Sequence, residues 1–127
     1  MKAITLVELI IVITIVVILA TVAFPNFFKS KARAIDKEAI VSLRLIQAAE
    51  KIYRMEKGFY YPDTGSADVA GINSYLKLSL PSTNWTYSII QGGSVATAQA
   101  QGSKGEKGIG YWQLEIDESD PDFHPIL

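Results

Sequence analysis

The chain has 127 residues, a formal net charge of −1 and no cysteine. This length holds one domain, or a small domain plus an extension, and the missing cysteines exclude a disulfide scaffold, a thiolate metal site and a cysteine nucleophile. A net charge so near zero does not suit a nucleic-acid binder, and 20% charged residues is too many for an integral membrane bundle, yet mean hydropathy is +0.20, so one stretch carries an apolar excess.

That stretch is Ile4 to Phe24, 21 residues with Glu8 as the single charge. At about 1.5 Å per residue a helix of this length spans roughly 30 Å, the thickness of a bilayer's hydrocarbon core. From Phe28 onward the spacing changes. Phe28, Ala32, Ile35, Ala39, Leu43, Ile46, Ala49 and Tyr53 recur every three or four residues, and Val41, Leu45, Ala48 and Ile52 are read as widening the same stripe, with polar residues on the other face. Gly58 after Lys57 is a stop signal with a cation in the last turn. Only Pro25-Asn26 separates the two segments, so the sequence predicts one long helix from Ile4 to Lys57, kinked at Pro25.

The remaining 70 residues read as loop and then sheet. A short helical turn is expected near Gly71–Leu76, with Ser66-Ala-Asp68 as caps. Three strands follow: Asn84–Gln91 with Trp85, Tyr87 and Ile89 on one face, Val95–Gln101, and Ile109–Asp117 with Trp112, Leu114 and Ile116 on one face. A hairpin turn is expected at Gln91–Ser94 and a longer loop over Gly102–Gly108. The tail from Glu115 to Leu127, with five acids and two prolines, reads as irregular. The fold class expected is α+β, a long kinked helix packed on a three-stranded antiparallel meander.

Charge is as unevenly spread as hydropathy. Residues 1–24 are neutral overall, residues 25–57 carry +4 and residues 58–127 carry −5. Apolar stem, basic neck and acidic head follow one another. Counted by the positive-inside rule alone, the basic neck keeps the head in the cytoplasm.

Glu8 is the most informative residue. A carboxylate in an apolar span costs about 2.5–3.5 kcal/mol by insertion scales, so it needs a partner or a proton. One partner is local: Thr5-Leu-Val-Glu8 fits a capping box, in which the glutamate returns to the backbone of the capping threonine. The other is intermolecular, a salt bridge between packed stems.

The flanks bear on this choice. Lys2-Ala3-Ile4-Thr5-Leu6-Val7-Glu8-Leu9 resembles the class III signal of type IV pilins and pseudopilins, a short basic leader ending in a small residue, then Thr-Leu-Ile/Val-Glu and an unbroken apolar helix. The resemblance implies cleavage between Ala3 and Ile4 by prepilin peptidase and N-methylation of Ile4, with Glu8 and Thr5 at the assembly end. Pro25 stands where the family commonly has its kinking proline, and Tyr53–Pro62 resembles the family's exit from the long helix. Departures are Ala3 where Gly is usual, Ile4 where Phe or Met is usual, and the absence of the C-terminal cysteine pair of many major pilins.

The implied organisation is a leader at 1–3, a transmembrane and filament-core helix at 4–27, and a pilin head at 28–127. The implied function is that of a structural subunit of a type IV pilus-like filament. Its partners are further copies of the chain, inner-membrane lipid before assembly, the peptidase and the pilus or secretion machinery, with no nucleic acid. The implied location is the inner membrane as precursor, then an extracellular or periplasmic filament, which conflicts with the charge count above. A pseudopilin of type II secretion is the alternative within the class. Outside it stand a secreted protein cut after Thr21-Val-Ala23 and a membrane-tethered domain that never assembles.

No other motif carries chemistry. Glu115, Asp117, Glu118, Asp120 and Asp122 are dense in oxygen ligands, and the family resemblance makes Asp117, Asp120 and Asp122 calcium candidates. Their spacing is not an EF-hand, however, and a solvated acidic edge is the favoured reading. Gly105–Gly110 is neither a phosphate loop nor a dinucleotide fingerprint, His124 reads as a surface residue, and the Trp85, Trp112 and tyrosine cluster reads as core. No nucleophile–base pair is visible, so neither an enzyme nor a cofactor is expected.

Overall fold

The computed structural model of the chain describes residues 2–92, 95–102, 105, 107, 108 and 110–126. Its first element, α1 (Leu6–Lys57), is a helix of 52 residues. Thr5 caps it in extended backbone. Gly58 ends it at φ 88°, a left-handed conformation that only glycine adopts without strain, and the Gly58 N–H donates to the Arg54 carbonyl at 2.8 Å. The expected boundaries, Ile4 and Lys57, therefore hold to within two residues. The helix continues through Pro25, which supplies no backbone donor. Around it, side chains hydrogen-bond helix carbonyls: the Thr21 hydroxyl donates to Ile18 O at 2.7 Å and the Asn26 amide to Val22 O at 3.3 Å.

After α1 come β1 (Ser66–Asp68), α2 (Val69–Tyr75), β2 (Trp85–Gly92), β3 (Val95–Gly102), β4 (Gly110–Glu115) and β5 (Asp122–Pro125). The strands form one antiparallel sheet in sequence order, β1-β2-β3-β4-β5. The sheet thus has five strands where the sequence pattern suggests three, and the tail expected to be irregular contains the fifth. The two extra strands are the edges. β1 is three residues long, too short to show alternation, and leads directly into α2, whose cap is Asp68, its carboxylate accepting from the Gly71 N–H at 2.9 Å. β5 ends on Pro125, which a sheet tolerates only at an edge, and is held by Phe123 packing on Trp112 at a ring separation of 5.3 Å. The expected hairpin turn falls on Gly93 and Ser94, outside the described residues, although Gly92 and Val95 pair on either side of it. The expected loop at 102–108 lies partly outside them, at 103, 104 and 106.

The core forms where the second half of α1 lies on this sheet. Ala39, Leu43 and Ile46 of α1 meet the inward residues of β2 (Trp85, Tyr87, Ile89), β3 (Ala96, Ala98, Ala100) and β4 (Trp112, Leu114), with Ile116 just beyond the end of β4, all buried. α1 packs on β3 and β4. The three alanines of β3 leave room for a helix to approach closely, with bulkier side chains on β2 and β4 flanking it. Both indoles find helix acceptors, as buried tryptophans generally must. Trp85 Nε1 donates to Ile35 O at 2.8 Å, and Trp112 Nε1 to Asp36 Oδ1 at 3.3 Å.

Two expectations about α1 are corrected. Phe28, Val41, Leu45, Ala48 and Ile52 do not join the buried stripe; all five are exposed. Nor is the buried face purely apolar, for Asp36, Ser42 and Glu50 lie on it.

Asp36 also explains a glycine. The α-carbon of buried Gly105 rests against the Asp36 carboxylate, and a methyl group there would overlap it. Gly105→Ala must displace a carboxylate that also holds the Trp112 indole. A loss of about 1–3 kcal/mol in unfolding free energy is expected, the usual range for overpacking, measurable by urea unfolding of the detergent-solubilised full chain.

Candidate assembly surface

Among the described residues nothing packs against the first half of α1. Every residue from Ile4 to Phe28 is exposed except Ala20, which is half-buried. A helix that is apolar all round needs either lipid or other helices, and a contiguous apolar surface of this extent marks an interaction site. Its most hydrophobic window has a mean hydropathy of 3.0, and by length and composition the helix can cross a membrane.

At the tip of this stem the capping box is complete. The Glu8 N–H donates to Thr5 Oγ1 at 3.2 Å, and Glu8 Oε2 accepts from the Thr5 N–H at 2.8 Å and from the Thr5 hydroxyl at 2.9 Å. The local reading of Glu8 is thus realised within one chain, and Thr5 and Glu8 are brought together. Ala3 and Ile4 precede the cap in exposed, non-helical backbone. Pro25 sits about five turns further along the helix, away from this cluster.

Beyond an exposed, mostly basic stretch from Lys29 to Lys37, α1 carries a second bare apolar surface. Val41, Leu45, Ala48, Ile52 and Met55 form an exposed ridge on the second half of α1, with Ile52 55% and Met55 79% exposed. Their spacing of four, three, four and three residues is that of a coiled-coil seam. The ridge lies on the side of α1 opposite Ala39, Leu43 and Ile46. The helix therefore has two apolar faces here, one covered by the sheet and one left bare.

Charge borders this ridge. Arg33, Lys37 and Arg44 recur along one side of α1, and all are exposed. Arg44 bonds Asp120 at 2.8 Å, and Gln47 Nε2 donates to the carbonyls of Glu115, Ile116 and Glu118 at 3.3, 2.9 and 2.7 Å. These contacts fix the acidic segment against α1. They do not gather the calcium candidates: among the described residues no three acidic or histidine side chains come together as a metal site, and Asp120 is engaged with Arg44. His124 stacks on Tyr111 with ring centres 4.9 Å apart.

A buried acid that the pattern gives no hint of lies near the end of α1. Glu50 is fully buried; its Oε2 accepts from the Tyr61 N–H at 2.9 Å, and its Oε1 has no hydrogen-bond partner among the described residues. Burial pushes its carboxyl up to about 7, and the Tyr61 N–H opposes that rise. Glu50 thereby anchors the chain where it leaves the helix. Tyr53 packs beside that exit at 5.9 Å from both Phe59 and Tyr61.

Comparison with known proteins finds two curated relatives of one kind. The type IV major pilin protein PilA of Myxococcus xanthus (strain DK1622) is 42% identical over 59 residues, which cover 46% of this chain and 27% of that protein. The type IV major pilin protein PilE of Neisseria gonorrhoeae is 42% identical over 73 residues, 58% of this chain and 44% of that protein. The chain thus spans less than half the length of either of these relatives. No family profile and no solved structure matches it.

Proposed function

We propose that this chain, a member of the type IV pilin family, is the structural subunit of a type IV pilus-like filament. The observation that carries the proposal is the bare apolar surface of α1 on both sides of its basic stretch. The apolar stem from Ile4 to Phe28 lies below that stretch and the ridge Val41–Met55 above it, on the side that the sheet leaves uncovered. Lipid can hold the stem of a single subunit, but it cannot reach a ridge that lies beside the head. Neighbouring helices can cover both. The small exposed head outside and the bare helix inside are what a helical polymer of this chain requires.

In this reading the chain enters the inner membrane by its stem and is cut between Ala3 and Ile4. The new Ile4 amine, N-methylated, is a cation at the edge of the bilayer. Glu8 of a neighbouring copy lies at nearly the same depth. Pairing the two replaces two poorly solvated charges with one ion pair and sets the offset between adjacent stems at about four residues, roughly 6 Å along the axis. The stems then pack through Leu9–Phe24, the segment that Pro25 follows. The head is exported with the filament, against the positive-inside count, and its role is structural rather than catalytic. Residues 1–3 act as leader, 4–27 as stem and 28–127 as head.

The test is the amino-terminal mass of the chain recovered from filaments sheared off cells that express it. A peptide beginning at methylated Ile4 is expected, in the sheared fraction. Recovery only in membranes with Met1 intact would leave a tethered domain, and a chain beginning at Phe24 in the medium would leave a secreted one. A chain found in short periplasmic filaments, whose deletion stops protein secretion, would be a pseudopilin.

A further inference from the structure

We propose that the neck of α1 binds anionic phospholipid headgroups through Lys29 and Lys31, and that this contact fixes the depth of the stem before assembly. The inference rests on the membrane stage of the reading above and adds the chemistry that holds the subunit there.

The neck lies between the last apolar residue of the stem, Phe28, and the first buried residue of α1, Asp36. The helix runs through it unbroken, so the rise from Phe28 to Asp36 is about 12 Å. The headgroup layer on each side of a bilayer is roughly 5–8 Å thick. A stem seated in hydrocarbon up to Phe28 therefore puts Lys29 and Lys31 among the headgroups, and the point where the head closes on α1 beyond them. The other end of the stem gives the same depth. Between Glu8 and Lys29 stand only uncharged residues, Leu9 to Phe28. As helix they measure about 30 Å, the thickness of the hydrocarbon core. With Lys29 at one boundary Glu8 lies at the other, and neither charge enters the hydrocarbon.

The fold decides which charges the neck shows. The acids nearest to it on α1 are turned to the head: Asp36 is buried against the Trp112 indole, and Glu38 accepts from the Asn84 amide at 2.7 Å. Lys29 and Lys31 are exposed and make no ion pair among the described residues. They lie about 160° apart around the helix, so they reach headgroups on opposite sides of it. Arg33 has an interaction of its own, and Lys37 stands about 13 Å above Phe28, beyond the headgroups; neither belongs to this collar. A lysine at such a boundary lays its methylene arm along the apolar surface and holds its ammonium at the level of the phosphates. A zwitterionic headgroup carries its own cation beside the phosphate and an anionic one does not, so the collar selects anionic lipid.

The experiment reconstitutes the full chain into nanodiscs of equal phosphatidylcholine and phosphatidylglycerol, and counts by native mass spectrometry the lipids that stay bound on release. Phosphatidylglycerol is expected to be enriched about fivefold, the preference that a lysine near an anionic surface confers. Lys29→Gln combined with Lys31→Gln is expected to bring the two lipids to near parity. Lys29→Arg combined with Lys31→Arg keeps the charge and is expected to keep the enrichment. Lys2→Gln, at the far end of the stem, is expected to leave it in place. Equal retention of both lipids by the unsubstituted chain overturns the proposal, as does an enrichment that survives the glutamine changes or is lost with Lys2→Gln alone. A second measurement tests the depth and uses the absence of cysteine. In vesicles of the same lipids, Ser30→Cys is expected to react with a membrane-impermeant maleimide and Phe24→Cys to be protected. Equal behaviour of the two positions overturns the placement of the neck. A chain that enters no bilayer would remove the membrane stage itself, a result distinct from all of these.

Discussion

Glu8→Gln is expected to leave the start of α1 intact and to reduce filament yield by on the order of a hundredfold, since removing one partner from a desolvated pair costs about 3–5 kcal/mol. The substitution separates the two roles of this residue. Glutamine at the third helical position completes a capping box as glutamate does. Its oxygen can accept from the Thr5 N–H, now 2.8 Å from Glu8 Oε2, and its own N–H can still reach Thr5 Oγ1. The negative charge alone is lost. If Glu8 serves only the cap, filaments form at the normal yield and the intermolecular pair is excluded. Thr5→Val is the converse. It removes the hydroxyl of the box, keeps the charge and costs about 1 kcal/mol of helix stability, so its effect on filaments should be the smaller one. The readout for both is the ratio of chain in sheared filaments to chain in membranes, which also shows that the variant is inserted.

The long helix, its two ends, the inward faces of the three central strands and the capping box were legible because each rests on local chemistry. Gly58 ends α1 through a backbone conformation, and Trp85, Tyr87 and Ile89 declare their face by simple alternation. What could not be read is what depends on a partner. At about 100° per residue, Val41, Leu45, Ala48 and Ile52 point away from Ala39, Leu43 and Ile46. The helix thus carries two apolar faces where a single widened stripe is expected, and the second is the one bare in the monomer. The edge strands β1 and β5 are too short to carry a pattern; they form because β2 and β4 offer them a ladder and Trp112 offers Phe123 a surface. Asp36 and Glu50 look like solvent residues by type. They are buried because a Trp112 N–H and a Tyr61 N–H, distant in sequence, reach them.

Glu50 leads to the second large effect. Its carboxyl titrates near 7 in the folded chain, against an ordinary value of 4.5. The folded state therefore binds a proton more tightly than the unfolded state does. Between those two values the native chain holds more protons, and stability falls as pH rises. The contribution is fully present below about 4.5 and lost as pH rises through about 7. Over that window it amounts to about 2–3 kcal/mol, at about 1.4 kcal/mol per pKa unit with some allowance for residual solvation. Glu50→Gln removes the titration and keeps an oxygen for the Tyr61 N–H. At pH 8 this variant is expected to melt about 10 °C above the unsubstituted chain, and at pH 4.5 to melt close to it. Thermal unfolding of both full chains in detergent from pH 4.5 to 8 measures the difference between them, in which the shared contribution of the other acids cancels. Parallel curves would place the titration elsewhere. Glu50→Ala separates the charge from the anchor. It too removes the buried carboxylate, but it leaves the Tyr61 N–H without its acceptor and opens a cavity beneath the exit from α1, so it should be less stable than the glutamine variant at every pH.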